Sequence, residues 1–291
     1  MKLIRVFPRR TKATPDDDGV VVNRGPSLWD EADEVQVSVT FEWDRPRAES
    51  LAKEWAAVAP VLVGGPAYSS YAGEFIPGQY LRHGYVITSR GCPNRCSHCL
   101  VPTREGALRL LPIKDGWNVL DNNLLACPRH HQEAVFQMLL RQPSAPCFTG
   151  GFEARRVTEW HAEWMVRLKP ETLWMAYDRA SEWEPLVEAV AVFKRSGLVG
   201  PHKTKRVGAY VLMGWAGDDP LAASKRLQSV IELGIRTQAM LLDNGRQCRP
   251  TDMGDWWDLR KKYTNAAEVG AMVAETWDRD AVKVTGEPST I

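Results

Sequence analysis

Charge of one sign is missing from this 291-residue chain: 37 lysines and arginines stand against 36 aspartates and glutamates, a net of +1. A protein whose main task is gripping nucleic acid carries a basic excess, so that class has no support. The basic residues gathered over 194–206 read as a solvated connection rather than an RNA contact. Long apolar runs are missing too, and none approaches the roughly 18 residues of a membrane span. The opening Met1-Lys2-Leu3-Ile4-Arg5 turns charged before a signal-peptide core can form. The expectation is a cytoplasmic chain with no membrane partner. Cysteine is scarce, six in all, which excludes a disulfide scaffold. With 44% hydrophobic and 25% charged residues the composition is that of an ordinary globular protein, and the length allows about two domains.

The few cysteines are unevenly placed. Cys92, Cys96 and Cys99 fall within eight residues, in Ser89-Arg90-Gly91-Cys92-Pro93-Asn94-Arg95-Cys96-Ser97-His98-Cys99, while Cys127, Cys147 and Cys248 stand alone. This C-x3-C-x2-C directly follows the strand-like run Gly84-Tyr85-Val86-Ile87-Thr88. Three thiolates on one short loop can each hold one iron of a [4Fe–4S] cluster. The fourth iron is then left open to a small chelating molecule, as catalytic zinc keeps an open position. Gly91 and Pro93 suit a loop that wraps closely around an inorganic core. A Cys3His zinc site would need His98, His130 or His131, yet the paired C-x2-C spacing of such sites is absent. A redox pair at Cys96 and Cys99 would leave Cys92 unexplained.

On this motif the chain resembles the radical S-adenosylmethionine superfamily, over roughly residues 80–245. The resemblance implies a partial (β/α)6 barrel, a [4Fe–4S] cluster on Cys92, Cys96 and Cys99, and S-adenosylmethionine. It also implies a reductant such as flavodoxin or ferredoxin. His98 takes the place where the superfamily has an aromatic ring against the adenine. The resemblance does not name the substrate.

Periodicity tests the barrel separately. Strand-length apolar runs at 85–88, 117–121, 146–149, 172–178, 207–213 and 237–242 alternate with amphipathic helical segments at 128–140, 157–168, 185–195 and 221–233. That alternation is the signature of a parallel α/β sheet, and right-handed crossovers bring all strand C-termini to one rim. Each of the six strands ends in polar or glycine residues.

The rim residues divide by what the resemblance asks of them. Asp121 and Asn122 are acceptors for the methionine ammonium, or an Asx turn. Gly150 and Gly151 admit the methionine backbone, or close a β-turn. Asp178, ahead of Glu153 and Arg155, suits the ribose hydroxyls. Gly214 and Trp215, within Val211–Asp218, resemble the strand beside the adenine. Trp174, Tyr177 and Trp215 are candidate walls of a dry pocket or core residues. Asp243 and Asn244 end the sixth strand. Cys248, just beyond, is a candidate hydrogen donor to a substrate radical, or an incidental thiol.

Residues 1–80 form a small Rossmann-like α/β domain by pattern, with strands at 3–7, 35–39 and 61–63 and a helix near 47–57. This resembles a shortened cobalamin-binding domain. It lacks the Asp-x-His-x-x-Gly lower-ligand motif, so the sequence gives cobalamin little support. No cysteine precedes Cys92, which rules out an N-terminal auxiliary cluster. Residues 246–291 are a C-terminal extension with a polar end. Three functions fit: hydrogen abstraction from an unidentified substrate, methyl or group transfer to tRNA or another macromolecule, and a non-catalytic iron–sulfur protein.

Overall fold

The computed structural model describes residues 1–68, 74–97, 99–201, 206–215, 217–242 and 254–285. Two parallel sheets organise it, each with its own core.

The first sheet holds β1 (Leu3–Phe7), β2 (Val20–Val22), β3 (Glu34–Ser38) and β4 (Val61–Gly64), joined in the order β2-β1-β3-β4. Helix α1 (Arg45–Trp55) crosses from β3 to β4 and buries Ala48, Leu51 and Trp55 against Ile4, Val6, Val35 and Val37. The short strand β2 lies outside the strands the sequence pattern predicts, because three valines without alternation carry no period. On the other face Arg5 donates to the carbonyls of Gly78 and Gln79 and pairs with Asp17. This ties the sheet to the segment leading into the second.

The second sheet contains β5 (Tyr85–Val86), β8 (Asn118–Val119), β9 (Cys147–Phe148), β10 (Thr172–Ala176), β11 (Val207–Met213) and β12 (Arg236–Leu241). Its strands lie in strict chain order and all pair in parallel. Helices α3 (Arg129–Leu140), α4 (Glu159–Leu168), α5 (Trp183–Arg195) and α6 (Pro220–Glu232) are the crossovers. A sequential order with right-handed crossovers puts them on one face. There Leu173, Met175, Val207, Ala209, Val211 and Met213 are buried against Phe136, Met165, Val190 and Leu227. Trp174 and Tyr210 face the other way, stacked with centroids 4.7 Å apart. Helices α7 (Gly254–Thr264) and α8 (Ala266–Thr285) add Tyr263, Val269 and Val273 to this core.

Between β5 and β8 the chain makes an antiparallel ladder of β6 (Ser89–Arg90) with β7 (Arg109–Leu110), with the short helix α2 (Val101–Arg104) between them. This pairing closes the base of the cysteine loop.

One buried histidine makes a prediction here. His161 accepts from the Thr158 backbone N–H at Nδ1 (3.1 Å), so Nε2 carries the hydrogen and donates to Gln132 Oε1 (2.9 Å). Burial, aided by the Arg129 charge, pulls its pKa down to about 4. Between the ordinary value of about 6.5 and pH 4 the unfolded chain binds a proton that the folded chain refuses. Stability from this group is therefore whole above pH 6.5 and falls by roughly 3 kcal/mol as pH drops to 4. Urea denaturation at pH 7 and 4.5 should show a steeper loss for wild type than for His161→Gln; parallel losses would refute this.

Candidate functional site

The loop at the C-terminal edge of β5 starts from a buried brace. Asp121, at the end of β8 and 1% exposed, accepts from the Thr88 backbone N–H and from the Thr88 and Ser89 hydroxyls, each at 2.6 Å. Burial pushes its carboxyl above the usual range, opposed by those hydrogen bonds. Here the structure corrects the expected role: the carboxylate is enclosed by the protein and does not face a ligand's ammonium. Cys127 and His131 lie close by, their ligand atoms and Asp121's all within 4.8 Å of one another. Thr88 has one hydroxyl proton and gives it to Asp121, so His131 Nε2, 3.3 Å from that oxygen, is the donor. That nitrogen offers a metal no lone pair.

Above the brace the cysteine loop is tethered point by point. Asn122 Oδ1 accepts from Gly91 N–H (2.9 Å), and Arg90 pairs with the buried Glu105 (2.8 Å). Gly91 has φ +81°, and a Cβ there would lie 2.2 Å from the Ala107 carbonyl, so only glycine makes this turn. Cys92 and Cys96 are half-buried, Cys99 is exposed, and all three are free thiols. Burial raises the Cys96 thiol; Arg179 opposes this, while the charges of Glu182, Cys99 and Cys92 add to it. Cys92 and Cys99 thus both lie near enough to act on the Cys96 thiol.

Two side chains from other strands reach the loop. Asn123 Nδ2 lies 3.4 Å from Cys92 Sγ and donates to Glu153 Oε2 at 2.8 Å. Glu153 also accepts from Asn94, inside the loop, and pairs with Arg155 and Arg156. Although burial works against ionisation, hydrogen bonds from Asn123, Asn94 and Arg156 hold this carboxyl below its ordinary value. Arg179, beyond β10, has a buried Nη2 with no partner.

The remaining expected residues distribute as follows. Gly151 lies against the turn after β8: a Cβ would stand 2.0 Å from Asn122 O, and its N–H donates to Asp121 O. Gly150 is similarly close to Asp121 O. On that side their space is taken by the backbone of the turn after β8. Asp178 Oδ1 accepts from Leu212 N–H at 2.9 Å, linking β10 to β11. Gly214 donates to Asp218, which pairs with Arg226, and that guanidinium covers the Trp215 ring at 4.3 Å. Tyr177 is buried beside Trp183 in the second core. His98, Asp243, Asn244 and Cys248 lie outside the described residues.

The structure thus gathers Cys92, Cys96, Cys99, Asp121, Asn122, Gly150, Gly151 and Glu153 at three adjacent strand ends. Sequence reasoning reaches Asn123 only as the last residue of the Asp121-Asn122-Asn123 strand end, without its sulfur contact, and misses Arg179. Their only local signal is a polar residue just after an apolar strand.

No protein-family model matches the chain, and no curated protein does. Among solved structures it is similar to the radical S-adenosylmethionine methyltransferase TsrM from Kitasatospora setae, a structure with cobalamin and a [4Fe–4S] cluster bound. The TM-score is 0.58 at 11% identity, over 82% of this chain and 74% of that one. That coverage exceeds what residues 81–291 could supply, so the likeness extends into the first eighty. The fold is radical SAM-like. Among the described residues, no helix is long and apolar enough to cross a membrane.

Proposed function

We propose that this chain is a radical S-adenosylmethionine enzyme whose second sheet acts as a partial barrel, with Cys92, Cys96 and Cys99 holding a [4Fe–4S] cluster. The supporting observation is three free thiols on one tethered loop at the C-terminal edge of a sequential parallel sheet. The donor set fits the group: thiolates are the usual cluster ligands, and the unpartnered Arg179 Nη2 suits an anionic occupant beside Cys96. Bound there, the cluster would supply one electron to S-adenosylmethionine, yielding a 5′-deoxyadenosyl radical that takes hydrogen from an organic substrate.

The protein's own part is positioning. Asp121 and Asn122 hold the loop base. With its oxygen on Gly91, Asn122 offers its amide nitrogen to a ligand and suits a carboxylate better than an ammonium. Asp178, Gly214 and Trp215 line the neighbouring strand ends and are assigned to the ribose and adenine. A flavodoxin- or ferredoxin-like protein is the proposed reductant.

Reduced, reconstituted protein should release 5′-deoxyadenosine, and the Cys92/Cys96/Cys99→Ala triple variant should not. Absence of both product and S-adenosylmethionine binding would leave the non-catalytic iron–sulfur reading instead.

Methyl or group transfer is the second reading. The first sheet favours it, since strand order reverses at β1 and β3, where open α/β sheets bind ligands. The Glu42–Arg104 ion pair joins that rim to the helix following the cysteines. No histidine precedes His83, so this sheet supplies no imidazole to a corrinoid. S-adenosylhomocysteine as a product would support transfer.

A further inference from the structure

Asn123 sits at the junction of the β8 turn and the cysteine loop, 4% exposed. Its Oδ1 accepts from Ala126 N–H at 3.2 Å, which fixes which end of the amide is nitrogen. Nδ2 then faces the other way and has two hydrogens. One goes to Glu153 Oε2 (2.8 Å) and the other is available to Cys92 Sγ (3.4 Å). Sulfur bonds are long, and this one falls within their range. Glu153 cannot swing away, because Asn94, Arg155 and Arg156 hold its carboxylate at 2.9, 3.0 and 2.6 Å. The amide is therefore clamped at both ends, with its spare N–H directed at one cysteine sulfur.

We infer that Asn123, locked by Glu153, is a positioning residue that sets the reduction potential of a cluster held by Cys92, Cys96 and Cys99. The inference rests on the cluster reading above. An N–H donated to a ligand sulfur withdraws negative charge from it. Reduction adds an electron, so the donor stabilises the reduced form more than the oxidised form and raises the potential. Asn123 neither binds iron nor touches substrate; it acts through the Cys92 sulfur.

The test is potentiometric titration of the reconstituted protein, followed by the electron paramagnetic resonance signal of the reduced cluster. Asn123→Ala removes the donor. Asn123→Asp keeps an oxygen for Ala126 N–H and removes the donor as well. Both should retain full iron content, with the ratio of reduced to oxidised cluster at a fixed poise falling about tenfold, a midpoint lowered by about 59 mV for one electron. Glu153→Gln keeps an acceptor for the amide and should stay close to wild type. An unchanged midpoint in both Asn123 variants overturns the inference. So does loss of the cluster from both folded variants, which would make the residue part of the binding site rather than a tuner. Wild-type protein that binds no iron overturns the cluster reading first, and this inference with it.

Discussion

Alanine at any one of Cys92, Cys96 or Cys99 is expected to yield a folded chain that holds no intact cluster. Anaerobic reconstitution of wild type should give roughly four irons per chain, and each variant should lose the reduced-cluster resonance and all 5′-deoxyadenosine release. Folding survives because these side chains are half-buried or exposed, and substitutions outside the core usually cost within about 0.5 kcal/mol. The control lies in the same molecule. Cys127 is buried in the brace, and Cys147 lies at the start of β9, its Sγ 3.6 Å from Glu171. Cys127→Ala and Cys147→Ala should keep both iron and product. Zinc in the wild-type loop, or iron retained in a Cys96→Ala chain, would be incompatible with the proposed site.

Removing the brace should have the largest effect on stability. Asp121→Ala leaves one backbone N–H and two hydroxyls with no acceptor in a site closed to water. Each unsatisfied buried donor costs about 1–3 kcal/mol, so a loss of about 3–5 kcal/mol is expected after the hydroxyls rotate to partial partners. Against a total stability of about 5–15 kcal/mol, that approaches unfolding at ordinary temperature. Asp121→Asn retains an oxygen for the Thr88 N–H and should lose about 1–2 kcal/mol. Urea midpoints at constant slope measure both. If Asp121→Ala were as stable as wild type, the carboxylate would have to face a cavity or ligand, as the sequence suggested.

The strands were legible because each carries its own period. Residues 3–7 and 207–213 match β1 and β11 residue for residue, the helix at 128–140 starts one residue before α3, and that at 221–233 is shifted by one residue at both ends from α6. The elements that escaped are those without one. The β6–β7 ladder is two residues long and exists because Gly91 turns the chain back through a left-handed conformation. Helices α7 and α8 fall in what the sequence shows only as a C-terminal extension with a polar end.

Taken alone, the sequence determined the parallel α/β class and the one loop dense in thiols, since both are written in spacings of a few residues. Tertiary structure decided what surrounds those thiols. Asn94 meets Glu153 from 59 positions away, and Asn123 meets Cys92 from 31. Such meetings depend on which strands lie side by side, which no local periodicity encodes. The same packing turned Asp121 inward: an aspartate at a strand end has one spelling whether it braces a loop or greets a ligand, and only its neighbours distinguish the two.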